Sequence, residues 1–191
     1  MDASATSDEA LMGRYAAGDA SAFDALYGRH ELPLWRYILR HCGNRATAEE
    51  LMQEVWFAVA REAEKFRADA RFTSWLYTMA RNRVIDRHRT AHSHMSLDGV
   101  AGGSETPLME MLADEGSPSP LQAAERAEQG QSILAALDRL PREQREAFVL
   151  QADSGLTVEQ IASVTGTSFE TAKSRLRYAR DRLKDLLREH A

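Results

Sequence analysis

The sequence predicts an all-α protein made of two small helical domains that a flexible linker joins. Apolar residues recur at three- and four-residue spacing over most of the 191 residues, which is the period of an amphipathic helix. Strand-type alternation is scarce, and the middle of the chain is rich in Gly, Ser, Pro and acidic residues. We therefore expect a first domain at 1–92, a linker at 93–120 and a second domain at 121–191.

Two helices open the first domain. The first is expected to end near Gly18, and Asp19 is expected to begin the second,. Pro33 falls inside this second helix and should bend it or split it in two, because proline removes a backbone donor. The pair Gly43 and Asn44 then stops it.

The third helix is predicted from 46 to 65 and has two unlike faces. Leu51, Val55 and Val59 recur at helical spacing and should face the core,. The opposite, acidic face is formed by Glu49, Glu50, Gln53 and Glu54.

A polar loop, FRADARF, separates the third helix from a fourth, which Thr73 or Ser74 is expected to cap,. This segment interleaves aromatic and arginine side chains. Single-stranded nucleic acid is held by aromatic rings that stack on bases and by cations along the backbone. Aromatic residues at helical spacing are also common in cores, so composition alone leaves both interpretations open.

The second domain contains the outline of a helix-turn-helix. Pro141 is placed to open a helix,. Beyond it, Thr157 and Gln160 form a capping-box pattern, Gly166 allows a tight turn, and Ser168 can cap a longer helix.

The longer helix has a basic outward face. Ala172, Leu176, Ala179 and Leu183 follow the core spacing, which turns Lys173, Ser174, Arg177 and Tyr178 away from the core,. Arginine and lysine can donate to guanine O6 and N7, and a tyrosine ring can pack on a thymine methyl group. The residues expected to reach flanking phosphates are Thr171, Arg175, Arg180 and Arg182.

Charge and composition exclude several classes of protein. The net charge of −5 arises from an acidic middle, while two separate helical stretches are basic,. Cys42 is the only cysteine, so no internal disulfide forms, and a partly buried helical position is expected for it,. No apolar stretch suggests a membrane span or a signal sequence, which predicts a cytoplasmic protein without membrane insertion. No phosphate loop, nucleophile motif or cofactor-binding motif indicates an enzyme.

Two other interpretations compete with a protein that acts through nucleic-acid binding alone. One is a helix-turn-helix transcriptional regulator with a sensory N-terminal helical domain, although no strands or pocket pattern support a sensor. The other is an enzyme, for which a metal site could be imagined at His88, His92 and His94, but these residues lack carboxylate neighbours at a suitable spacing,. We predict no metal.

Two sets of motifs resemble the extracytoplasmic-function (ECF) sigma factors, the small sigma-70-type subunits of bacterial RNA polymerase. AEELMQEVWFAVAR and FTSWLYTMARNRVIDRHR resemble sigma region 2, and LPREQREAFVL with the helix-turn-helix resembles sigma region 4. The resemblance implies a factor that binds core RNA polymerase, opens the −10 element and reads the −35 element as duplex DNA. It also implies contact with the β′ clamp helices and the β flap, a linker that threads toward the RNA channels, and control by an anti-sigma factor or another inhibitor.

The resemblance assigns a role to each of three residue sets. Binding of the β′ clamp helices falls on Glu49, Glu50, Gln53, Glu54 and Phe57. Binding of the −10 element falls on Phe66, Arg67, Asp69, Arg71, Phe72, Trp75, Arg81, Asn82, Asp86, Arg87 and Arg89. Binding of the −35 element falls on Ser168, Thr171, Lys173, Ser174, Arg175, Arg177, Tyr178, Arg180 and Arg182.

This chain departs from the family pattern at the recognition helix. Ala172 and Tyr178 stand where a valine and an arginine are usual, and Phe169-Glu170 replaces the more usual glycine-containing start. Glu170 suits a helix N-terminus but repels phosphate. The −35 sequence therefore cannot be carried over from the family.

Overall fold

The computed structural model describes residues 6–67, 70–95 and 130–188, with side chains up to residue 90 in the second range. All regular structure in these ranges is helical, which confirms the predicted all-α class. The chain divides into two compact units; one holds the helices up to residue 95, and the other holds most of those from residue 130 onward. The predicted linker lies outside the described ranges, apart from three helical residues at its start.

The first unit begins with α1 (Asp8–Ala16) and α2 (Ala20–Cys42). The second helix begins next to Asp19 as predicted, and Asp19 caps it, since its carboxylate accepts a hydrogen bond from the backbone N–H two residues later at 3.1 Å,. The helix runs through Pro33 without interruption, so the predicted split is wrong. Buried leucines on both sides of the proline pack into the core, and their burial offsets the roughly 3 kcal/mol that an internal proline costs.

A short connection joins α2 to α3 (Arg45–Arg61). Gly43 ends α2 with a φ of +64°, a conformation that glycine adopts without strain, and its N–H donates to the carbonyl of Leu39 at 2.9 Å,. The side chain of Asn44 caps α3. This helix ends four residues earlier than predicted and is followed by a separate 3₁₀ turn, Ala63–Lys65.

The fourth helix, α4 (Phe72–Met95), completes the unit and packs on α2 and α3. Its residues Leu76, Ala80 and Val84 are buried, as their four-residue spacing predicts,. The helix begins at Phe72, so Thr73 and Ser74 lie inside its first turn and the predicted cap is wrong. It also extends three residues beyond the predicted end of the first domain.

The second unit contains four helices in its described residues. They are α5 (130–138), α6 (Arg142–Ala152), α7 (Val158–Thr165) and α8 (Phe169–Arg188). Pro141 immediately precedes α6, as expected for a residue that opens a helix,. The helix α5, the residue Leu140 just after it and the helix α8 share a core that consists of Ala136, Leu137, Leu140, Ala179, Leu183 and Leu186.

The helix-turn-helix formed by α7 and α8 has the predicted chemistry at both helix starts and in the turn between them. Thr157 and Gln160 exchange hydrogen bonds of 2.8 and 3.3 Å between side chain and backbone, which is a complete capping box,. Gly166 has a φ of +65°, where a side chain would be strained,. The Ser168 hydroxyl accepts from the N–H of Thr171 at 3.2 Å and so caps α8. These local bonds fix where α7 and α8 start.

Candidate functional site

The helix α3 presents an acidic face to solvent. Glu49, Glu50, Gln53 and Glu54 are all exposed, whereas Leu51, Met52 and Val55 on the other side are buried. Phe57 lies one turn beyond Gln53 on the same face and is 73% exposed. Aromatic side chains such as this one are enriched in surfaces that bind other proteins.

Three arginines pair with the carboxylates of this face. Arg45 contacts Glu49 within α3 at 2.9 Å, and two arginines of α4 reach across to α3. The nitrogen-to-oxygen distances are 3.3 Å from Arg83 to Glu54 and 3.4 Å from Arg87 to Glu50. Exposed pairs of this kind contribute about 0–1 kcal/mol each, so they can be exchanged for other partners at little cost.

An apolar groove of about 300 Å³ adjoins the acidic face. The ring of Trp56 lines it and packs against Phe23 and Tyr27, with centroid distances of 5.6 and 4.9 Å. Partial burial is the larger cause, and a hydrogen bond to Glu31 the smaller one, that raises the pKa of Tyr27. This phenol therefore stays protonated and donates to Glu31 at 3.0 Å. The groove is lined by Tyr15, Phe23, Tyr27, Met52, Gln53, Trp56, Phe57 and Ala60.

Three aromatic rings form a cluster around the start of α4. Phe66 lies 5.2 Å from Trp75 and 6.0 Å from Phe72 between ring centroids. Phe66 and Trp75 are half-buried, so part of each ring faces solvent. Phe72 is fully buried. Phe72 therefore supports the other two rings from the core and, contrary to its assigned role, has no free face for a base.

Charged side chains surround this cluster. Arg67 and Arg71 are exposed in the loop, whereas Asp69 lies outside the described residues. Along α4, Arg81 is half-buried, and an exposed polar surface continues past it. That surface consists of Asn82, Asp86, Arg87 and Arg89.

The outward face of α8 agrees with the predicted helical register. Lys173, Arg177 and Tyr178 are exposed, and Tyr178 retains 51% of its surface. The ammonium of Lys173 lies 5.8 Å from the ring centre of Phe169, and the guanidinium of Arg177 lies 4.8 Å from that of Tyr178. Each cation–π contact holds a long basic side chain against a ring, which reduces the entropy that side chain would lose on binding.

The other residues of the helix-turn-helix set have mixed roles. Ser174 donates to the carbonyl of Thr171 at 3.0 Å, and the hydroxyls of Ser168 and Thr171 lie 2.9 Å apart, so these small side chains stabilise the first turn of α8. Arg180 is exposed and donates to Gln151 of α6. Arg182 is exposed, and Arg175 is half-buried.

Histidine and cysteine side chains take structural positions. Cys42 is half-buried at the end of α2, as predicted, and burial raises the pKa of its thiol. The ring of His88 bonds the carbonyl of His41 at 2.9 Å, while the side chains of His92 and His94 lie outside the described residues. Within the part of the chain that is described, no three ligating side chains are grouped so as to hold a metal ion.

Two family models match the chain, Sigma-70 region 2 over residues 26–94 and Sigma-70, region 4 over residues 130–183. Among curated proteins, the ECF RNA polymerase sigma factor SigM of Mycobacterium tuberculosis is 33% identical over 184 residues, which cover 95% of this chain and 85% of SigM. This chain belongs to the ECF sigma factors. SigL of the same species is 35% identical over 176 residues, which cover 91% of this sigma factor and 93% of SigL.

A solved structure of another sigma factor has a similar fold. RpoE from Bartonella quintana, crystallised in complex with the anti-sigma factor NepR, aligns with a TM-score of 0.64 at 26% identity, over 82% of this chain and 91% of RpoE. As an ECF sigma factor, this protein directs RNA polymerase to promoters. The alternative interpretation, a helix-turn-helix regulator with a sensory N-terminal domain, is therefore rejected. The region 2 match includes α3 and α4, and the region 4 match includes the helix-turn-helix. None of the described helices is both long and apolar enough to cross a bilayer.

Sequence reasoning missed two contributors to these surfaces. The groove aromatics Tyr15, Phe23 and Tyr27 come from α1 and α2, outside the motifs that carry the family resemblance. Glu9 contacts the start of α4 from a position 63 residues earlier in the chain. Neither leaves a local pattern, because the contacts arise only when helices distant in sequence pack together.

Proposed function

We propose that the acidic face of α3 and the adjoining apolar groove bind the β′ clamp helices of core RNA polymerase. The observation that carries the proposal is Phe57, which is 73% exposed beside Gln53 and Glu54. Acidic groups attract a basic partner and set its register, while buried aromatic area provides most of the affinity. Co-sedimentation of the sigma factor with core enzyme tests the binding, and transcription in vitro from a promoter library tests the function.

The aromatic cluster at the start of α4 is the proposed site for the opened −10 element. Phe66 and Trp75 offer partly exposed rings to extruded bases, and Arg67, Arg71 and Arg89 offer charge to the phosphates. A stacked base contributes about 1–3 kcal/mol, which is comparable to the cost of extruding it. Asp69, Arg81, Asn82, Asp86 and Arg87 remain proposed contributors, and Phe72 is proposed to position the rings.

The exposed face of α8 is the proposed reader of the −35 element. Lys173 and Arg177 carry donors for base edges, and Tyr178 offers a ring to a thymine methyl group. Contacts to phosphates and flanking bases are assigned to Ser168, Thr171, Ser174, Arg175, Arg180 and Arg182. The opposite side of this unit is proposed to meet the β flap.

Control by an anti-sigma factor is part of the proposal. The similar RpoE protein was crystallised with such a partner, and an exposed aromatic beside an acidic face is a surface that an inhibitor could cover. We further propose that the protein works in the cytoplasm without catalytic activity or cofactor. The boundaries 1–92, 93–120 and 121–191 stay predictions.

Replacing Phe57 by alanine should lower the affinity for core polymerase about tenfold or more, because an aromatic side chain buried on binding contributes about 1.5–3 kcal/mol. The melting temperature should stay unchanged, since this side chain has little contact with the core. Leu32→Ala is the matched control, as Leu32 is also exposed, at 54%, but lies on α2 outside the groove lining. Equal affinities for the two variants, measured by fluorescence anisotropy, would contradict the assigned surface.

Replacing Trp75 by leucine should reduce promoter opening while leaving core binding intact. Leucine retains apolar packing but has no flat face, so the loss should approach one stacking interaction, about tenfold in the opening equilibrium. Fluorescence of 2-aminopurine in the −10 element reports the opening. Trp35→Leu removes another half-buried tryptophan of the same unit and should open promoters normally. A similar defect in both variants would point to loss of stability rather than of stacking.

A further inference from the structure

Glu9 joins the first turn of α1 to the first residue of α4. Its carboxylate Oε1 accepts a hydrogen bond from the backbone N–H of Phe72 at 3.2 Å. The guanidinium of Arg71 lies 3.9 Å from the same oxygen. This carboxylate therefore contacts both the end of the loop and the start of the helix that the −10 proposal uses.

The contact serves as a helix cap supplied from another part of the chain. The residue before α4 is Arg71, whose side chain has only donors and cannot satisfy the free N–H groups of a helix start. A carboxylate meets this need through its oxygen atoms and is also attracted by the positive end of the helix dipole. Glu9 thus replaces the local cap that Thr73 or Ser74 was expected to provide.

The position of Glu9 is itself fixed by its neighbours. Asp8 accepts hydrogen bonds of 2.7 Å from both His30 and Arg29 of α2, which tie the start of α1 to that helix. The bond from His30 is the main cause that holds the pKa of Asp8 below its usual range. The ring of His30 in turn lies 5.4 Å from that of Phe72. The start of α1, the middle of α2 and the start of α4 therefore form one connected arrangement.

We infer that Glu9 is a positioning residue for promoter opening: its carboxylate fixes the start of α4, so that Phe66 and Trp75 present their rings to the separated strand. The inference rests on the proposed −10 function of this loop. Glu9 precedes the residues matched by the region 2 model, and its side chain is only 22% exposed. It therefore acts through the loop rather than by touching DNA.

The test compares full-length Glu9→Ala and Glu9→Gln proteins in complex with core polymerase. The alanine variant should lose about tenfold in the opening equilibrium, reported by 2-aminopurine in the −10 element, because a hydrogen bond to a charged acceptor is removed. The glutamine variant keeps an oxygen acceptor for the N–H of Phe72 and should recover most of the opening. Affinity for core polymerase should be unchanged in both.

Asp19→Ala separates positioning from general stability, because it also removes a helix cap from the first unit, but at the start of α2, where the carboxylate bonds Ser21 and Arg14. If the Glu9→Ala and Asp19→Ala proteins open the promoter equally well while the Trp75→Leu protein is still defective, the inference about Glu9 is wrong and the −10 proposal stands. Normal opening by Trp75→Leu would overturn the −10 proposal and the inference with it. If the Glu9→Ala protein does not fold, the Glu9→Gln protein provides the test. A strong defect in promoter opening by folded Glu9→Gln would overturn the inference about Glu9, since that variant retains the oxygen acceptor.

Discussion

Transcription that depends on the −35 element is expected to fall about thirtyfold or more when Lys173 and Arg177 are both replaced by alanine. Each side chain is exposed on α8 and is held against an aromatic ring, so each is prepared to donate to base edges. A lost base contact costs about 1–3 kcal/mol, and the two losses should add because the −35 proposal assigns the two side chains, one helical turn apart, to different bases. Run-off transcription from promoters with intact and scrambled −35 elements measures the effect.

Lys184→Ala with Arg188→Ala is the matched control for this change. Both residues are exposed cations of α8, farther from the turn, and neither belongs to the proposed contact set. The control should lose only part of the general attraction to phosphate, equally on both promoters. If the Lys173 and Arg177 variant instead loses affinity for core polymerase, the face of α8 has been assigned wrongly.

Reversing charge at Glu50 and Glu54 is expected to lower the affinity for core polymerase by at least about tenfold, because like charges brought together at an interface cost several kcal/mol. Lysines at these positions would also repel Arg87 and Arg83. These pairs are exposed, so the loss of folding stability should be about 1 kcal/mol. Anisotropy titrations with core enzyme, together with thermal unfolding, distinguish the two effects.

Asp181→Lys with Asp185→Lys provides the comparison, since it reverses two exposed acids on α8 and changes the net charge equally. It should bind core polymerase like the unaltered protein when DNA is absent. Unchanged affinity after reversal of Glu50 and Glu54 would place the polymerase-binding surface elsewhere. The neutral pair Glu50→Gln and Glu54→Gln should give an intermediate affinity, because it removes attraction without adding repulsion.

Features that depend on near neighbours in sequence were predictable. The capping box of Thr157 and Gln160, the glycine turn at Gly166 and the cap at Asp19 each rest on bonds within a few residues. The opposed faces of α3 and α8 follow from helical periodicity alone. These features determined the helix-turn-helix and the exposure of Lys173 and its neighbours, so much of the proposed −35 surface could be predicted from the sequence.

Features that depend on packing between distant helices were not predictable. Pro33 does not break α2, because tertiary packing outweighs its local cost,. The cap of α4 comes from Glu9, and Phe72 turns into the core although its loop neighbours remain partly exposed. Periodicity assigns a residue to a helix face but does not reveal which distant group meets it.

In the free protein, Arg83 and Arg87 lie against carboxylates of the same face that is proposed to bind polymerase. Their positive charge is therefore partly cancelled before any partner arrives. A basic partner that binds Glu54 and Glu50 leaves the positive charge of both guanidinium groups without a nearby carboxylate. These charges then lie beside the DNA strand that α4 is proposed to bind. Unbound copies should consequently hold nucleic acid weakly, and assembly with the enzyme should precede capture of the template.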